Sequence, residues 1–578
     1  MGRQRPPKEP AMRLLRRLLL WGTRAGGGAA FNYYIDSVAG SDSNDGTSEA
    51  APWATIGKLT SAAVLANGVK IGLAYGGEWG ETLDLSTYTG TVVGAYGDDT
   101  QPLPTIYGSD VAPKSGWTLS GGRTKAYERS WTHTVNTSAV GQISVWKRLT
   151  SDTTGGWTLL TYTTSAANCE STANSFFVVS PINNSTVTVY LHPAGDTDPN
   201  GDTYDYRVTK RDYAVRMGDT SSITRVCTMM QGHNDGSMTL RDGTYAYECM
   251  NLHGHKHNAI GYDWRSCVFY QAEGSSRIST ASLAVAYSGT PTGLSAQFID
   301  CFADGGPTFA GDLLYGHSAG VVKWVEQKIE RFSGRRGANG LSVGNTSSHV
   351  LRDSTIEQVL TTGMASAADN VTIDNVTMIL SVAHNGNTPR RAVDLNSAAG
   401  GSTITDLRAY LTRQTSGGAI YGFGLLTITN SSIQLDSASY DIAFDTGWAT
   451  GSIFTNNIVV GPDLLYGWTA SARQPGVGTD YNVYYKASAT PDYSVNSTTY
   501  TTLAAYQAAF PTLDANTVGT DPLLASPSTN DWTLGGASPA NTGGRNSGSR
   551  KHIALPDWTT LNANWDKRYL GFNGHIAP

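Results

Sequence analysis

Between residues 225 and 458 the apolar positions follow one recurring order. An apolar residue is followed by a polar one, often Asp or Asn, then by a small residue, and two positions on by a second apolar residue. The first copies are Arg225-Val226-Cys227-Thr228-Met229, Tyr247-Glu248-Cys249-Met250, Arg265-Ser266-Cys267-Val268-Phe269 and Ile299-Asp300-Cys301-Phe302. Val325-Glu326-Gln327-Lys328-Ile329, Arg352-Asp353-Ser354-Thr355-Ile356 and Asp374-Asn375-Val376-Thr377-Met378 continue the series. Thr405-Asp406-Leu407-Arg408, Thr429-Asn430-Ser431-Ser432-Ile433 and Thr455-Asn456-Asn457-Ile458 complete it, with successive copies 18 to 34 residues apart. Such short alternating runs predict strands, and the Asp or Asn at a fixed place predicts a tight bend.

A second strand precedes many copies: residues 258–263, 339–343, 391–395, 418–421 and 441–445. Two or three strands per period, with turns of variable length, describe a coil that stacks on itself. No coil buries its apolar face alone, but a stack buries one continuous core. Cys227, Cys249, Cys267 and Cys301 are then expected in an inward ladder at the bend, as small buried thiols. A β-sandwich, the rival architecture, lacks this vertical register.

The amino-terminal stretch YYIDSVAGSDSNDGTSE, residues 33–49, has the look of a calcium loop. With Gly46 at the sixth position, however, the first, third and twelfth fall on Ser41, Ser43 and Pro52. It is read instead as a strand over residues 33–38 and a turn-rich loop, leading through PWATIGKL (52–59) to a capping helix over 61–66. This entry, together with the repeat, resembles the right-handed parallel β-helix proteins of the pectate-lyase-like superfamily, which include polysaccharide lyases and bacteriophage tailspikes. Residues 520–544 are similar to that superfamily's closing coils and 573–576 to its last strand. The resemblance implies an all-β fold: a right-handed parallel β-helix (solenoid) with an inserted β-rich region over 111–215 and a short N-terminal basic arm. The expected organisation is arm 1–30, cap and first coils 31–110, insertion 111–215, helix proper 216–500, and closing coils with tail 501–578.

Composition agrees with many short strands and little helix. Charged residues are 15% of the 578 and Gly numbers 65. The formal charge of −6 gives no case for nucleic acid. Residues 1–30 carry seven Arg or Lys against Glu9, and Arg16-Arg17 interrupts the apolar run, so neither an export signal nor a membrane span is expected. The arm is read as a disordered tail or as a short amphipathic helix docking on a partner or membrane surface. Five cysteines without a close pair give no zinc or redox motif. His253, His255 and His257 would suit a metal only on a flat strand, and Gly254 argues against one, so no metal or cofactor is expected. Trp558, Trp565, Tyr569 and Phe572 are expected to close the last coil.

Candidate chemistry sits on the second strand. With Ile260, Leu341, Val393, Ile420 and Ile442 taken as equivalent inward positions, Asp394 falls one place later, and Asp263, Asn396 and Asp445 three later. These residues are expected to form an outward polar stripe, with Asp263, Asp394 and Asp445 as candidate catalytic carboxylates. Arg335, Arg336, Arg390 and Arg391, just before the same strand, would add a cationic lip that binds glycan together with Asn396. A lyase would need a base and cations there; a hydrolase would use two carboxylates. The other reading is ordinary solvated loop decoration.

Three functions follow: a virion appendage recognising, and in one form degrading, host surface polysaccharide; a polysaccharide lyase or glycoside hydrolase; and a non-enzymatic spacer. The first is preferred. Through its tailspike resemblance it implies a homotrimer on the virion, with residues 1–30 contacting other virion proteins.

Overall fold

A computed structural model describes the chain from Phe31 to Trp558. It excludes single and paired positions and the segments 136–142, 152–156, 180–185, 230–237, 240–244, 253–257, 260–262, 271–281, 289–294, 306–311, 319–323, 381–390, 396–400, 414–417, 438–441, 445–450, 468–474, 487–491 and 543–546. Two compact units are present, one built mainly from Leu20–Val285 and the other from Ala286–Asp304 and Asp312–Pro556.

In the carboxy-terminal unit the residue at the recurring bend adopts the left-handed conformation. Asp300, Arg331, Asp353, Asn375, Asp406, Asn430 and Asn456 have φ between +48° and +58°. L-residues enter this region at a cost of roughly 1–2 kcal/mol, and Asn and Asp reach it most readily. This is the bend predicted from the recurring Asp or Asn. The copy assigned to Val325–Ile329 is displaced: its bend falls at Arg331, with Phe332 after it.

The chain runs through these bends in long strands, Thr346–Glu357, Asn370–Leu380 and Gly401–Arg413, paired in parallel register. Leu351, Ile373, Ile404, Ile428 and Phe454 stack directly above one another and are fully buried. A second parallel sheet contains Asp312–Ser318, Asn339–Gly344, Thr362–Ala367, Arg391–Leu395, Gly418–Gly422 and Ile442–Phe444. Its inward column is Leu341, Met364, Val393, Ile420 and Phe444. The strands enter this sheet through a corner with little room: a Cβ on Gly340 would lie 2.1 Å from the Gly363 carbonyl oxygen. The unit is thus all-β with large parallel sheets, as the repeat predicted.

The residue after the bend points inward, and where it is polar it accepts from the backbone of a neighbouring repeat. Ser354 Oγ accepts from Phe332 N at 3.1 Å and Ser431 Oγ from Leu407 N at 3.1 Å. Asn457 Oδ1 accepts from Ser431 N at 3.0 Å and Asn482 Oδ1 from Asn457 N at 2.8 Å. Asn482 Nδ2 also donates to Phe454 O and Asp514 Oδ1, each at 2.8 Å. Asn482→Leu strands Asn457 N in the interior, while Phe454 O keeps Asp480 N and Asp514 Oδ1 keeps Thr517 Oγ1, and is expected to cost about 1–3 kcal/mol in a denaturant titration.

His349 is the counter-example: it is fully buried and neither ring nitrogen has a hydrogen-bond partner. Burial pushes its imidazole down to about 3 from an ordinary 6.5. The unfolded chain takes up this proton below about pH 6.5 and the native chain does not, so stability falls as the pH drops from there toward about 3. The loss is expected to be about 2 kcal/mol near pH 5. His349→Leu should flatten the slope of denaturation midpoint against pH; an unchanged slope would place the acid sensitivity elsewhere.

The far end of this unit is closed by the hairpin Asp492–Val495/Thr498–Tyr500 and the helix Leu503–Ala509, whose N-cap Thr502 accepts from Ala505 N at 3.1 Å. Tyr493 and Tyr506 stack at 4.9 Å, with Tyr500 and Phe510 around them. The closing aromatics are therefore these; Trp558 is buried, and Trp565, Tyr569, Phe572 and residues 573–576 lie outside the described residues. The 520–544 segment adds no further repeat. Its hairpin Leu524–Ser526/Asp531–Leu534 packs on the outside, with Leu524 and Leu534 against Ile458 and Val483, and Trp532 against Ile379 and Tyr410.

In the amino-terminal unit, Tyr33–Ile35, Lys70–Ala74, Val92–Tyr96, Ser222–Thr224, Tyr245–Tyr247 and Asp263–Arg265 pair in parallel. Left-handed Arg225 and Ser266 bend two of these repeats. The register places Val226, Cys249 and Cys267 at the position after the bend and Cys227 one place beyond, so Cys227 leaves the predicted ladder although it is equally buried. In the opening loop the Asp42 carboxylate accepts from Ala54 N, Thr55 N and Thr55 Oγ1, and Asp45 accepts from Thr47. The short helix spans Gly57–Ser61, earlier than predicted, because Glu81 reaches across to accept from Ile56 N and Gly57 N. Between the coil strands Thr105–Tyr107 and Val215–Arg216 the chain makes a four-stranded and a five-stranded sheet around a shared core that includes Trp131, Val145, Phe176, Val189 and Val208.

Candidate functional site

The second sheet of the carboxy-terminal unit turns one column of side chains outward: Ser342, Ala365, Asp394 and Tyr421. The alternation is simple, since Val393 and Leu395 point inward and Asp394 between them does not. Yet Asp394 is only 8% exposed. Arg391, three residues earlier on the same strand, donates from Nη1 to Asp394 Oδ2. Asp394 Oδ1 is buried and has no hydrogen-bond partner. The Arg391 guanidinium in turn lies over the Tyr421 ring at 3.8 Å.

Burial raises the Asp394 carboxyl above the usual carboxylate range, and Arg391 pulls in the opposite direction. The result is a carboxyl that keeps its proton more readily than a free Asp, with one oxygen engaged and one facing no protein donor. Such a carboxyl can act as a proton donor, and because Oδ1 is covered, donation requires the groups over it to move aside when a ligand binds. The Arg391–Tyr421 stack beside it offers an aromatic edge and guanidinium donors, groups suited to a hydroxylated ring.

The other predicted residues are distributed differently. Asp263 stands in the amino-terminal unit on a strand paired with Tyr245–Tyr247, three residues before left-handed Ser266. Its strand is of the kind that leads into the bend, not of the kind that carries Asp394. Arg335 and Arg336 form no open lip. Both grip the fully buried Asp304, Arg335 Nε at 2.9 Å and Arg336 through Nε at 2.7 Å and Nη2 at 2.6 Å. Arg390, Asn396, Asp445, Ile260 and the three histidines at 253, 255 and 257 lie outside the described residues. The inward position assigned to Ile442 belongs to Phe444, which pairs with Ile420 while Ile442 pairs with Gly418. Tyr421 was missed, although it follows Ile420 as Asp394 follows Val393, and that offset was the available signal. No helix among the described residues is long and apolar enough to cross a membrane.

No family model matches the chain, and no curated protein matches it. Solved structures similar to it include a glycoside hydrolase at 9% identity and TM-score 0.39, over 77% of this chain and 95% of that one. Another is a GH136 lacto-N-biosidase from Eubacterium ramulus, at 11% identity and TM-score 0.31 over 85% and 67%. A third is the tailspike protein gp49 from Pseudomonas phage LKA1, at 13% and 0.22 over 73% and 75%. Scores of this size carry no argument from those proteins to this one.

Proposed function

We propose that this chain is a right-handed parallel β-helix that recognises a cell-surface polysaccharide along the outward column of its second sheet, and cleaves it by hydrolysis at Asp394. The observation that carries the reading is the Asp394 carboxyl: outward on a parallel sheet, nearly buried, bonded through one oxygen and partnerless at the other. Among the described residues, hydrolysis is favoured over elimination by the state of the predicted lip cations. A lyase needs cations free to neutralise a uronate carboxylate. Arg335 and Arg336 are committed to Asp304, and Arg391 to Asp394 and Tyr421. Asp394 supplies the acid of a glycosidase pair, protonating the leaving oxygen; Asp445 is the proposed second carboxylate.

The virion setting belongs to the same proposal and rests on the tailspike-like entry and repeat of the sequence, with residues 1–30 as the docking arm and a homotrimer as the assembly. Purified protein incubated with envelope polysaccharides tests the chemistry, with product size and ultraviolet absorbance followed together. Shortened chains without new absorbing ends are the expected result. New unsaturated ends would replace hydrolysis with elimination, and intact polymer across a broad panel would leave at most a binding or spacer role. Removing residues 1–30 should prevent incorporation into particles while leaving the fold unchanged; normal incorporation would remove the docking role.

A further inference from the structure

Stacked repeats touch only their neighbours, so an open end is free to peel away one repeat at a time. A short stretch near the carboxyl terminus crosses the repeats of this unit in the reverse order. Ser547 Oγ donates to Tyr481 O, and Gly548 N donates to Asn456 O at 2.7 Å. Ser549 N donates to Ser432 Oγ at 3.1 Å. Arg408 Nη1 donates to Ser549 Oγ at 3.0 Å and to the Lys551 carbonyl. Lys551 Nζ then pairs with Asp406 at 3.0 Å and Asp374 at 2.8 Å. Five successive levels, from Tyr481 back to Asp374, are thus tied by Ser547, Gly548, Ser549 and Lys551.

We propose that residues 547–551 are a clasp that converts the unfolding of the last repeats from stepwise fraying into a single event. Arg408 is its anchor. The side chain is fully buried, with Nε on Thr377 Oγ1 at 2.8 Å and Nη2 on Asn375 Oδ1 at 3.0 Å. The clasp supplies the partners of the remaining nitrogen, so releasing it leaves part of a buried guanidinium unpaired. An outer repeat that leaves must give up its own bond to the clasp, at Tyr481 or Asn456, on the same short segment that Arg408 anchors. The chain that follows is held as well: Asn530 Nδ2 donates to Ile553 O at 2.9 Å, and Leu555 packs against the cluster of Ile379, Tyr410 and Trp532. The inference stands independently of the glycan reading.

Gly548 provides a test that alters no repeat. It has φ +82°, and a Cβ there would lie 2.5 Å from Ile458 Cδ1 and 2.8 Å from Ser432 Oγ. Gly548→Val in the full chain should therefore lift the clasp. Unfolding in guanidinium, followed by manual mixing, is expected to be a single slow phase for the native chain and about tenfold faster or more for the variant. Amide exchange of Val483–Tyr485 should match that of residues 547–551 in the native chain and should be faster in the variant than in the native chain. Lys551→Met, which removes only the two ion pairs, should move the rate in the same direction by a smaller factor. An unfolding rate unchanged in Gly548→Val overturns the proposal. So does native exchange in which Val483–Tyr485 opens while the clasp stays protected.

Discussion

Asp394→Asn is expected to abolish polysaccharide cleavage while leaving binding and the circular dichroism spectrum unchanged, with a fall in kcat of about 10²- to 10⁴-fold. The amide is nearly isosteric and can still meet Arg391, but it has no proton to give. The sign of the pH dependence follows from the direction of the shift. Burial raises the Asp394 carboxyl, so the protonated, active form persists to higher pH than for a free Asp and declines as the pH passes through the raised value. Under the proposed hydrolysis the native protein should therefore lose activity on the alkaline side, and residual activity in Asp394→Asn should lack that limb. A variant that binds glycan and cleaves it at the native rate would remove Asp394 from the chemistry.

Asp304→Asn is expected to be the most damaging of the stability variants. The native carboxylate is fully buried and holds two guanidinium groups, Arg335 and Arg336, themselves nearly enclosed. Removing the acid while keeping both cations leaves uncompensated charge inside, with a cost of about 3–5 kcal/mol. The triple change Asp304→Leu, Arg335→Met, Arg336→Met should recover much of that loss, because a packed apolar set has no charge to desolvate. Guanidinium midpoints for the single and triple variants distinguish this account. A mild single variant would mean that the pair is solvated, and Arg335 and Arg336 would return as candidates for an open lip.

The bends were legible because each demands a particular backbone state. Asp353, Asn375, Asp406, Asn430 and Asn456 occupy left-handed positions that few residue types accept, and that restriction is written into the sequence. The second sheet was less legible. Its strands are short, and a slip of two residues keeps every side chain on the same face, so Ile442 could stand in for Phe444 without disturbing the apolar pattern. The repeat at Thr362–Ala367 was overlooked for a related reason: only Met364 of its six residues is a large apolar side chain. The pairing of Asp304 with arginines 31 and 32 residues later, and the return of residues 547–551 across the repeats, depend on tertiary contacts that no local pattern records. For the site, the outward position of Asp394 was legible. Its burial, its bond to Arg391 and the Tyr421 platform were not, because they arise only when adjacent strands are laid side by side.

The most direct test of glycan recognition at this face is amide exchange of the intact protein with and without a saturating oligosaccharide from a polysaccharide it retains. The account predicts added protection in peptides covering Thr362–Ala367, Arg391–Leu395 and Gly418–Gly422, and its loss in Tyr421→Ala. Protection confined to other strands would contradict it, as would a bound oligosaccharide indifferent to Tyr421.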